Sequence, residues 1–548
     1  MAISSKGAVH RSTVTGTRGM VSSAHPLASL AGIQMIMKGG NAIDAIVATA
    51  AALNVVEPYM SGLAGSGYMH LYSAKKHEHK VIDYMGTAPE KATIDLFEGD
   101  EMPMKGPKMA IIPGACAGWL SALENYGTMD PADVFAPAID YAENGVALTV
   151  KNAFFYNWDQ PDILKYSAGN QSYFTSKNPV NAGDIVVQKE LAETFRKIAK
   201  GGADVFYRGE IADRIVGHMQ DVGGLINHND LANLQVLYQD PIHIDYRGHK
   251  IYVPEPPCQA IQYLEQLNML ENFDLAQMGH NSAEFLHLFI ESAKLTTADR
   301  IAYTLEQNGN PSPTSGLISK EYAAERLKEI GDRARPSVGE RYQNNKLDGE
   351  VEAGDPFKWV QKENTTHFDA IDADGNAVCV TQSLGALFGS SVVVPGTGLA
   401  LNDFLHWMDP QRDSPNAVGP NKRMEMCMSP VQVWQDDRLR FMVGTPGSYG
   451  ILQTTPQMIM NVIDHDMNIQ AAIEAPRVRL SQQGVTVSAE DRIPTEVLDA
   501  LRAKGHEFNI IESFSMEVGG GQGVQVDLQS GSFMGGADPR RDGYAIGF

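Results

Sequence analysis

Residues 364–383 read NTTHFDAIDADGNAVCVTQS. Two segments rich in β-branched and apolar residues flank a run of Asp, Gly and Asn, which is the pattern of a β-hairpin and its turn. If Ile371 pairs with Asn376, Thr365 lies near the start of the first strand, opposite Gln382 on the second. The hydroxyl groups of the second strand then lie beside Thr365.

Four motifs in and after this hairpin form a longer pattern: TTH at residues 365–367, DGNAV at 374–378, VT at 380–381 and FG at 388–389. The pattern resembles the start of the small subunit of the γ-glutamyltransferases, which are N-terminal-nucleophile (Ntn) hydrolases made as one inactive chain. The resemblance implies that the protein cuts its own peptide bond between Asn364 and Thr365. Thr365 would thereby gain a free α-amine and become the nucleophile.

A threonine at a new N-terminus carries its own base. Its hydroxyl is a poor nucleophile near neutral pH, but an α-amine with a pKa of about 7.7–8.0 can accept the hydroxyl proton. The same hydroxyl can attack the preceding carbonyl during self-cleavage, giving an ester that water opens. A Thr-Thr pair alone is ordinary strand composition, and it is the longer pattern that favours the catalytic interpretation.

Composition restricts the class of protein. The 548 residues are 43% hydrophobic and 20% charged, which is typical of a globular chain with a large core, in several domains or one large α/β unit. The net charge of −22 argues against nucleic acid or an anionic membrane as a partner. The cysteines have no metal-ligand spacing, and the first residues lack the apolar core of a signal peptide, so we expect a reduced, cytoplasmic protein. These cysteines are Cys116, Cys258, Cys379 and Cys427.

The N-terminal region predicts two helices. Residues 27–37 have helical periodicity and end at a Gly-Gly pair. Asn41 can cap a second, largely buried helix over residues 42–55, with Asp44 in its first turn. The motif GGNAIDA at residues 39–45 resembles the large subunit of the same family.

Three other motifs have a functional and a structural interpretation. The glycines of residues 62–68 do not have the spacing of a phosphate-binding loop, so tight packing is favoured. The motif GACAG at residues 114–118 imitates a nucleophile elbow with Cys116 as nucleophile, but an ordinary strand-to-helix turn fits equally well. His77 and His79 lie in a Lys-rich turn, which predicts solvated side chains rather than a metal site.

The resemblance extends from about residue 19 to the C-terminus and implies further site residues. Ser383 would orient the hydroxyl of Thr365. The backbone N–H groups of Gly447 and Ser448 would hold the oxyanion of the tetrahedral intermediate, and losing one such donor typically costs about 2.7–4 kcal/mol of barrier. The matching motifs are NAVGPNKR at residues 416–423, MSP at 428–430, VGTPGS at 443–448 and ADPR at 537–540.

Departures from the family pattern fall at the substrate-binding positions. Met85 replaces the arginine that holds the donor carboxylate, Gly385 replaces an asparagine, and Met426 and Cys427 replace two serines. The acidic pair that holds the donor amino group has no clear match, unless Asp409 fills it with a shifted register. A thioether cannot substitute for a bidentate guanidinium. The site should therefore bind a glutamyl donor poorly and favour a smaller or less polar acyl group, as in oxamate amidohydrolases and cephalosporin acylases.

We therefore expect an α+β, four-layer αββα Ntn-hydrolase fold, cut into a large subunit of residues 1–364 and a small subunit of residues 365–548. The charged segment at residues 347–363 would be exposed before the cut. The expected activity is hydrolysis of a small-molecule amide, or transfer of its acyl group, through a Thr365 acyl-enzyme. Neither a cofactor nor a metal is expected, and the expected protein partner is the other processed subunit, alone or in a dimer of such pairs. The alternatives are a true γ-glutamyltransferase or glutathione hydrolase with altered donor contacts, and a paralogue that never matures.

Overall fold

The computed structural model describes residues 1–4, 6–7, 9–97, 102–167, 179–305, 312–335, 363–412, 414–481 and 486–548, with the backbone alone at 363–365. The predicted exposed segment at 347–363 lies outside the described residues up to its last position. In the described part of the chain, no helix is both long and apolar enough to cross a membrane.

Two seven-stranded sheets form the centre of the molecule. One has the strand order β21-β2-β10-β11-β3-β4-β7 and the other β1-β20-β19-β15-β14-β9-β8. The described strands are β1 Val14–Gly16, β2 Gly19–Ser23, β3 Ser66–Ser73, β4 Glu78–Asp83, β5 Val146–Ala147, β6 Ile185–Val186, β7 Leu237–Gln239, β8 Ile242–Tyr246, β9 His249–Val253, β10 Glu363–Asp372, β11 Ala377–Ala386, β12 Val393–Val394, β13 Leu399–Ala400, β14 Val431–Gln435, β15 Arg438–Gly444, β16 Val478–Leu480, β17 Thr486–Glu490, β18 Glu507–Ile511, β19 Gln522–Val526, β20 Phe533–Ala537 and β21 Tyr544–Gly547.

Helices cover the outer face of each sheet. The described helices are α1 Pro26–Met37, α2 Ala42–Val56, α3 Ala115–Tyr126, α4 Pro131–Asn144, α5 Val150–Tyr166, α6 Lys189–Tyr207, α7 Glu210–Val222, α8 His228–Ala232, α9 Ile261–Leu270, α10 Leu275–Met278, α11 Ala283–Tyr303, α12 Thr314–Leu317, α13 Lys320–Leu327, α14 Ile451–Ile463, α15 Ile469–Glu474 and α16 Thr495–Ala503. Helices α1 and α2 pack on β2, β10 and β11, whereas α14 and α15 pack on β15, β19 and β20.

The two sheets face each other across an apolar layer. Met20 and Ile371 from the first sheet pack there against Met442 and Val524 from the second. Each sheet thus buries one face against the other sheet and one against helices, as a layered domain requires. This arrangement confirms the predicted four-layer αββα fold.

The predicted hairpin is present, but its register differs by one residue. Ile371 pairs with Ala377 rather than with Asn376. Asn376 belongs to the turn, where its N–H donates to the Asp372 carboxylate at 3.0 Å and Gly375 adopts φ +87°. As a consequence, the residue opposite Gln382 is Thr366.

The two predicted N-terminal helices are confirmed as α1 and α2. Asn41 accepts a hydrogen bond from Asp44 N, and the Asp44 carboxylate accepts one from Asn41 N at 2.8 Å, which is a reciprocal capping box. Every residue of α2 is buried because the helix lies between β10, β11 and its neighbours α1 and α4.

Two of the alternative motifs are resolved by their surroundings. Cys116 is the second residue of α3 and fully buried, and burial raises the pKa of its thiol, so it is not an activated nucleophile. The residues before that turn, Pro107–Met109, form a 3₁₀ turn rather than a strand. The prediction that His79 is solvated is wrong: its ring stacks on Tyr252 at 4.6 Å, because Glu78–Asp83 is a strand.

Candidate active site

A β-bulge lies at the bond that the family resemblance marks for cleavage. Asn364 pairs with Gly385, and Thr366 pairs with Gln382. Two steps along β10 therefore correspond to three along β11, so β11 carries an extra residue at this point. Bulges of this kind are common next to active sites because they redirect the local backbone. The Asn364–Thr365 bond lies where the regular ladder is interrupted.

Ser383 lies on the face of the first sheet that is turned toward the second. It is buried and pairs with Ser66 on β3, and its hydroxyl oxygen accepts a hydrogen bond from Gly385 N at 2.9 Å. Side chains alternate along a strand, so Ser383 shares its face with Cys379, which packs in the layer between the sheets. The predicted orienting serine is thus held at the level of the bulge.

Gln382 faces the opposite side, toward the helices. Trp119 Nε1 of α3 donates to Gln382 Oε1 at 2.9 Å, and Gln382 Nε2 donates to the Ser61 hydroxyl at 3.2 Å. Its role in the structure is therefore to tie β11 to the helical layer. Sequence alone placed this residue opposite Thr365 because the register was taken one residue short.

His367 forms a buried polar group that sequence reasoning did not assign. Its Nδ1 lies 3.0 Å from Thr381 Oγ1, and its Nε2 lies 3.1 Å from Asp369 Oδ1. The ring fills the space above Gly444, where a Cβ atom would come within 2.5 Å of it. The alternation His-x-Asp within a strand, which puts both side chains on one face, is the signal that could have found this pair.

The turn after β15 contains the two residues predicted to hold the oxyanion. Gly447 has φ +131° and Ser448 has φ +58°, so both adopt positive φ, which few residues other than glycine do. The 3₁₀ turn Ser448–Gly450 that follows lies against β10. Ser448 Oγ is buried and has no hydrogen-bond partner among the described residues.

A glycine-rich loop and a buried ionic cluster hold this turn in place. Arg477 Nη1 donates to Val518 O at 2.7 Å, and Gly521 N donates to Asp538 Oδ2 at 2.8 Å. Arg477 and Arg540 also form ion pairs with Asp538. Burial by itself would raise the pKa of Asp538, but the two guanidinium groups outweigh it and hold this pKa at about 2.

The loop from Val518 to Gly521 in turn contacts the predicted oxyanion turn. Gly520 N donates to Thr445 Oγ1 at 2.9 Å, and the same hydroxyl donates to Pro446 O at 2.9 Å. A Cβ atom on Gly519 would come within 2.3 Å of Thr445 Oγ1, so only glycine permits this close approach. The ionic cluster thus acts on Gly447 through the loop and Thr445.

The predicted substrate-binding positions are apolar. Met85, Met426 and Cys427 are buried in one hydrophobic cluster with Trp407. The Trp407 ring lies 5.2 Å from that of Tyr449, which directly follows the predicted oxyanion turn. Sulfur and aromatic groups therefore occupy positions where a carboxylate-binding site would need charged or hydroxyl donors.

Met85 also lines a cavity of about 480 Å³. The cation nearest to it in this cavity wall is Arg423, whose guanidinium forms an ion pair with the buried Asp83. Asp409, the alternative acid considered from sequence, is buried and pairs its backbone with Asn416 and Val418.

Gly385 is matched to a carboxylate that sequence reasoning missed. Asp403 Oδ1 accepts a hydrogen bond from Ala386 N at 2.9 Å, and a Cβ atom on Gly385 would lie 1.8 Å from that oxygen. Gly385 also has φ +101°. Asp403 is buried, and burial raises the pKa of its carboxyl group to about 7. The described residues contain no group of three His, Cys, Asp or Glu side chains that could hold a metal ion.

Comparisons with known proteins agree with this geometry. The sequence model of the gamma-glutamyltranspeptidase family matches residues 28–548. The acylase ACY 1 proenzyme of Pseudomonas sp. (strain SE83) is 34% identical over 545 residues, covering 97% of this chain and 94% of that protein. The glutathione hydrolase proenzyme of Bacillus subtilis (strain 168) is 34% identical over 544 residues, covering 97% and 92%.

A solved structure gives the same result. Cephalosporin acylase from Bacillus halodurans superposes with a TM-score of 0.88 at 31% identity, covering 100% of this chain and 98% of that one. These matches confirm the predicted fold and the predicted class of enzyme, an Ntn-type amide hydrolase or acyltransferase. The chain therefore belongs to the gamma-glutamyltranspeptidase family.

Proposed function

We propose that the protein cuts its own Asn364–Thr365 bond and then hydrolyses a small amide through an acyl-enzyme on Thr365. The supporting observation is the bulge that interrupts the β10–β11 ladder at this bond, next to the buried Ser383 and the turn that carries Gly447. Relatives that are named proenzymes also support a maturation step.

The proposed reaction uses groups of this chain alone. After the cut, the α-amine of Thr365 accepts the hydroxyl proton, and the hydroxyl oxygen attacks the amide carbonyl. The N–H groups of Gly447 and Ser448 donate to the oxyanion, and the Ser383 hydroxyl orients the nucleophile. The leaving amine takes the proton, and water then hydrolyses the ester. No cofactor takes part in these steps.

The proposed acyl group is smaller or less polar than γ-glutamyl. Met85 and Cys427 offer no donor for a carboxylate, and they pack in the apolar cluster that contains Trp407. The nearby guanidinium of Arg423 is paired with Asp83. Relatives named acylase and cephalosporin acylase fit this choice better than those named glutathione hydrolase.

The two proposed chains, residues 1–364 and 365–548, stay together after the cut. In the first sheet, β10 and β11 lie between β2 and β3, and in the second, β15 and β14 connect β19 to β9. Strands from both chains thus alternate in both sheets, so separation would break backbone ladders in each. A further pairing of two such assemblies stays a prediction.

A denaturing gel and Edman sequencing test the maturation. The wild-type chain should give two bands in place of one at 59.6 kDa, with a new N-terminus at Thr365. Thr365→Ala should remain one chain, whereas Thr365→Ser, which keeps a hydroxyl, should still cut. Active wild-type material without a chain beginning at Thr365 would rule out the proposal.

A panel of amides tests the substrate. Oxamate, a glutaryl-cephem and γ-glutamyl-p-nitroanilide should be supplied to the matured protein, with and without glycylglycine as acceptor. We expect hydrolysis of at least one non-glutamyl amide at a higher kcat/KM than the γ-glutamyl anilide. Fast γ-glutamyl turnover that glycylglycine accelerates would instead identify a true transferase.

A further inference from the structure

The uncut chain needs a base that the mature enzyme does not need. Before cleavage, the nitrogen of Thr365 is part of a peptide bond, so it cannot accept the hydroxyl proton. A hydroxyl near neutral pH attacks a carbonyl slowly unless another group removes its proton. This inference rests on the proposed self-cleavage at Asn364–Thr365 and asks which group supplies that base.

Asp403 is the buried carboxylate at this end of the hairpin. Its Oδ1 lies at the place that a side chain on residue 385 would fill, 1.8 Å from the position of a Cβ atom there. Gly385 is the partner of Asn364 in the ladder. Opposed residues of antiparallel strands have Cα atoms about 4.5–5.5 Å apart, so the carboxyl group lies about one strand spacing from the bond to be cut.

The other polar groups nearby are less suited to accept a proton. Both ring nitrogens of His367 are engaged, with Thr381 and with Asp369. Ser383 is an alcohol and needs a base itself. Lys105, which influences Asp403 electrostatically, is a cation paired with Asp159.

We propose that Asp403 accepts the Thr365 hydroxyl proton during self-cleavage. The hydroxyl oxygen then bonds to the carbonyl carbon of Asn364, and the C–N bond to Thr365 breaks as its nitrogen takes the proton back from Asp403. The product is an ester between Asn364 and the Thr365 side chain. Water adds to that ester, which releases the Asn364 carboxylate and restores the hydroxyl, so one water is consumed overall.

The surroundings of Asp403 suit this role near neutral pH. Burial raises the pKa of its carboxyl group to about 7, while the Ala386 N–H and the charge of Lys105 act to lower it and Asp159 acts to raise it. A general base is most effective when its pKa lies near the working pH. The carboxylate fraction therefore rises about tenfold between pH 6 and pH 8 for a single group of this kind.

The test follows cleavage of freshly made full-length chain. The protein is pulse-labelled in a cell-free translation and transferred to buffers from pH 5.5 to 8.5, and loss of the 59.6 kDa band gives the rate. The wild-type rate should rise about tenfold from pH 6 to pH 8. Asp403→Asn should slow cleavage at least 100-fold, within the usual range for general bases, and Asp403→Glu should restore part of the rate and its pH dependence.

A neighbouring variant distinguishes proton transfer from a purely structural role. Asp159→Asn removes a negative charge beside Asp403, so it should keep cleavage but move the midpoint of the pH profile to lower pH. A wild-type rate that is flat from pH 6 to pH 8, or Asp403→Asn cleaving within threefold of wild type, would overturn the inference. If the Asn variant fails to fold, the wild-type and Asp159→Asn profiles still decide. A wild-type chain that never cuts would refute the proposed function itself.

Discussion

Replacing Gly385 with alanine should destabilise the uncut protein severely. The new Cβ atom would lie 1.8 Å from Asp403 Oδ1, well inside van der Waals contact, and the backbone there has φ +101°. Left-handed strain costs about 1–2 kcal/mol for a residue with a side chain. Overpacking of a filled core costs about 1–3 kcal/mol, so we expect a total loss of about 2–5 kcal/mol.

The measurement is urea unfolding of the Thr365→Ala chain, in which cleavage cannot change the number of chains. Gly279→Ala is the matched control, because Gly279 has φ +88° but open space where its Cβ atom would lie. It should lose only the strain, about 1–2 kcal/mol. Adding Asp403→Ala to Gly385→Ala should recover about 1–3 kcal/mol by removing the clash. A Gly385→Ala chain no less stable than the Gly279→Ala control would show that Asp403 does not fill this space.

Two further predictions concern buried charge. Asp538→Asn leaves two arginines buried without a full counter-charge, so it should cost about 3–5 kcal/mol in urea unfolding and lower kcat through the loop that holds the oxyanion turn; Asp437→Asn, at an exposed pair, should change neither. Burial, with smaller contributions from neighbouring cations, lowers the pKa of His79 from 6.5 to about 4, so the unfolded chain binds this proton first and stability should fall as the pH drops from 6.5 toward 4. His79→Gln should weaken that pH dependence, and an unchanged slope would contradict the assignment.

Local signals were sufficient for the hairpin and for the first helices. Asp, Gly and Asn cluster at the turn after β10, and Asn41 with Asp44 forms a capping box that is contained in four consecutive residues. The register was missed by one because the length of the turn depends on which backbone groups the Asp372 carboxylate accepts. Composition does not encode that choice.

The substrate-binding wall and the candidate base depend on contacts between distant segments. Met85 and Cys427 are more than 300 residues apart, yet the two sheets bring them into one cluster. Their chemistry could be read from the family pattern, but their contact with Trp407 could not. Asp403 was overlooked because its meaning depends on Gly385, and neither residue alone predicts that a carboxylate would occupy a missing side chain.

The interleaved strand order makes maturation a one-way change in folding thermodynamics. An uncut chain unfolds and refolds as one molecule, so its midpoint is independent of protein concentration. Once the bond is cut, denaturation liberates two polypeptides, and renaturation requires a bimolecular encounter that dilution disfavours. The mature enzyme should therefore recover poorly after denaturation at low concentration, and its working lifetime should depend on how slowly it opens rather than on an equilibrium.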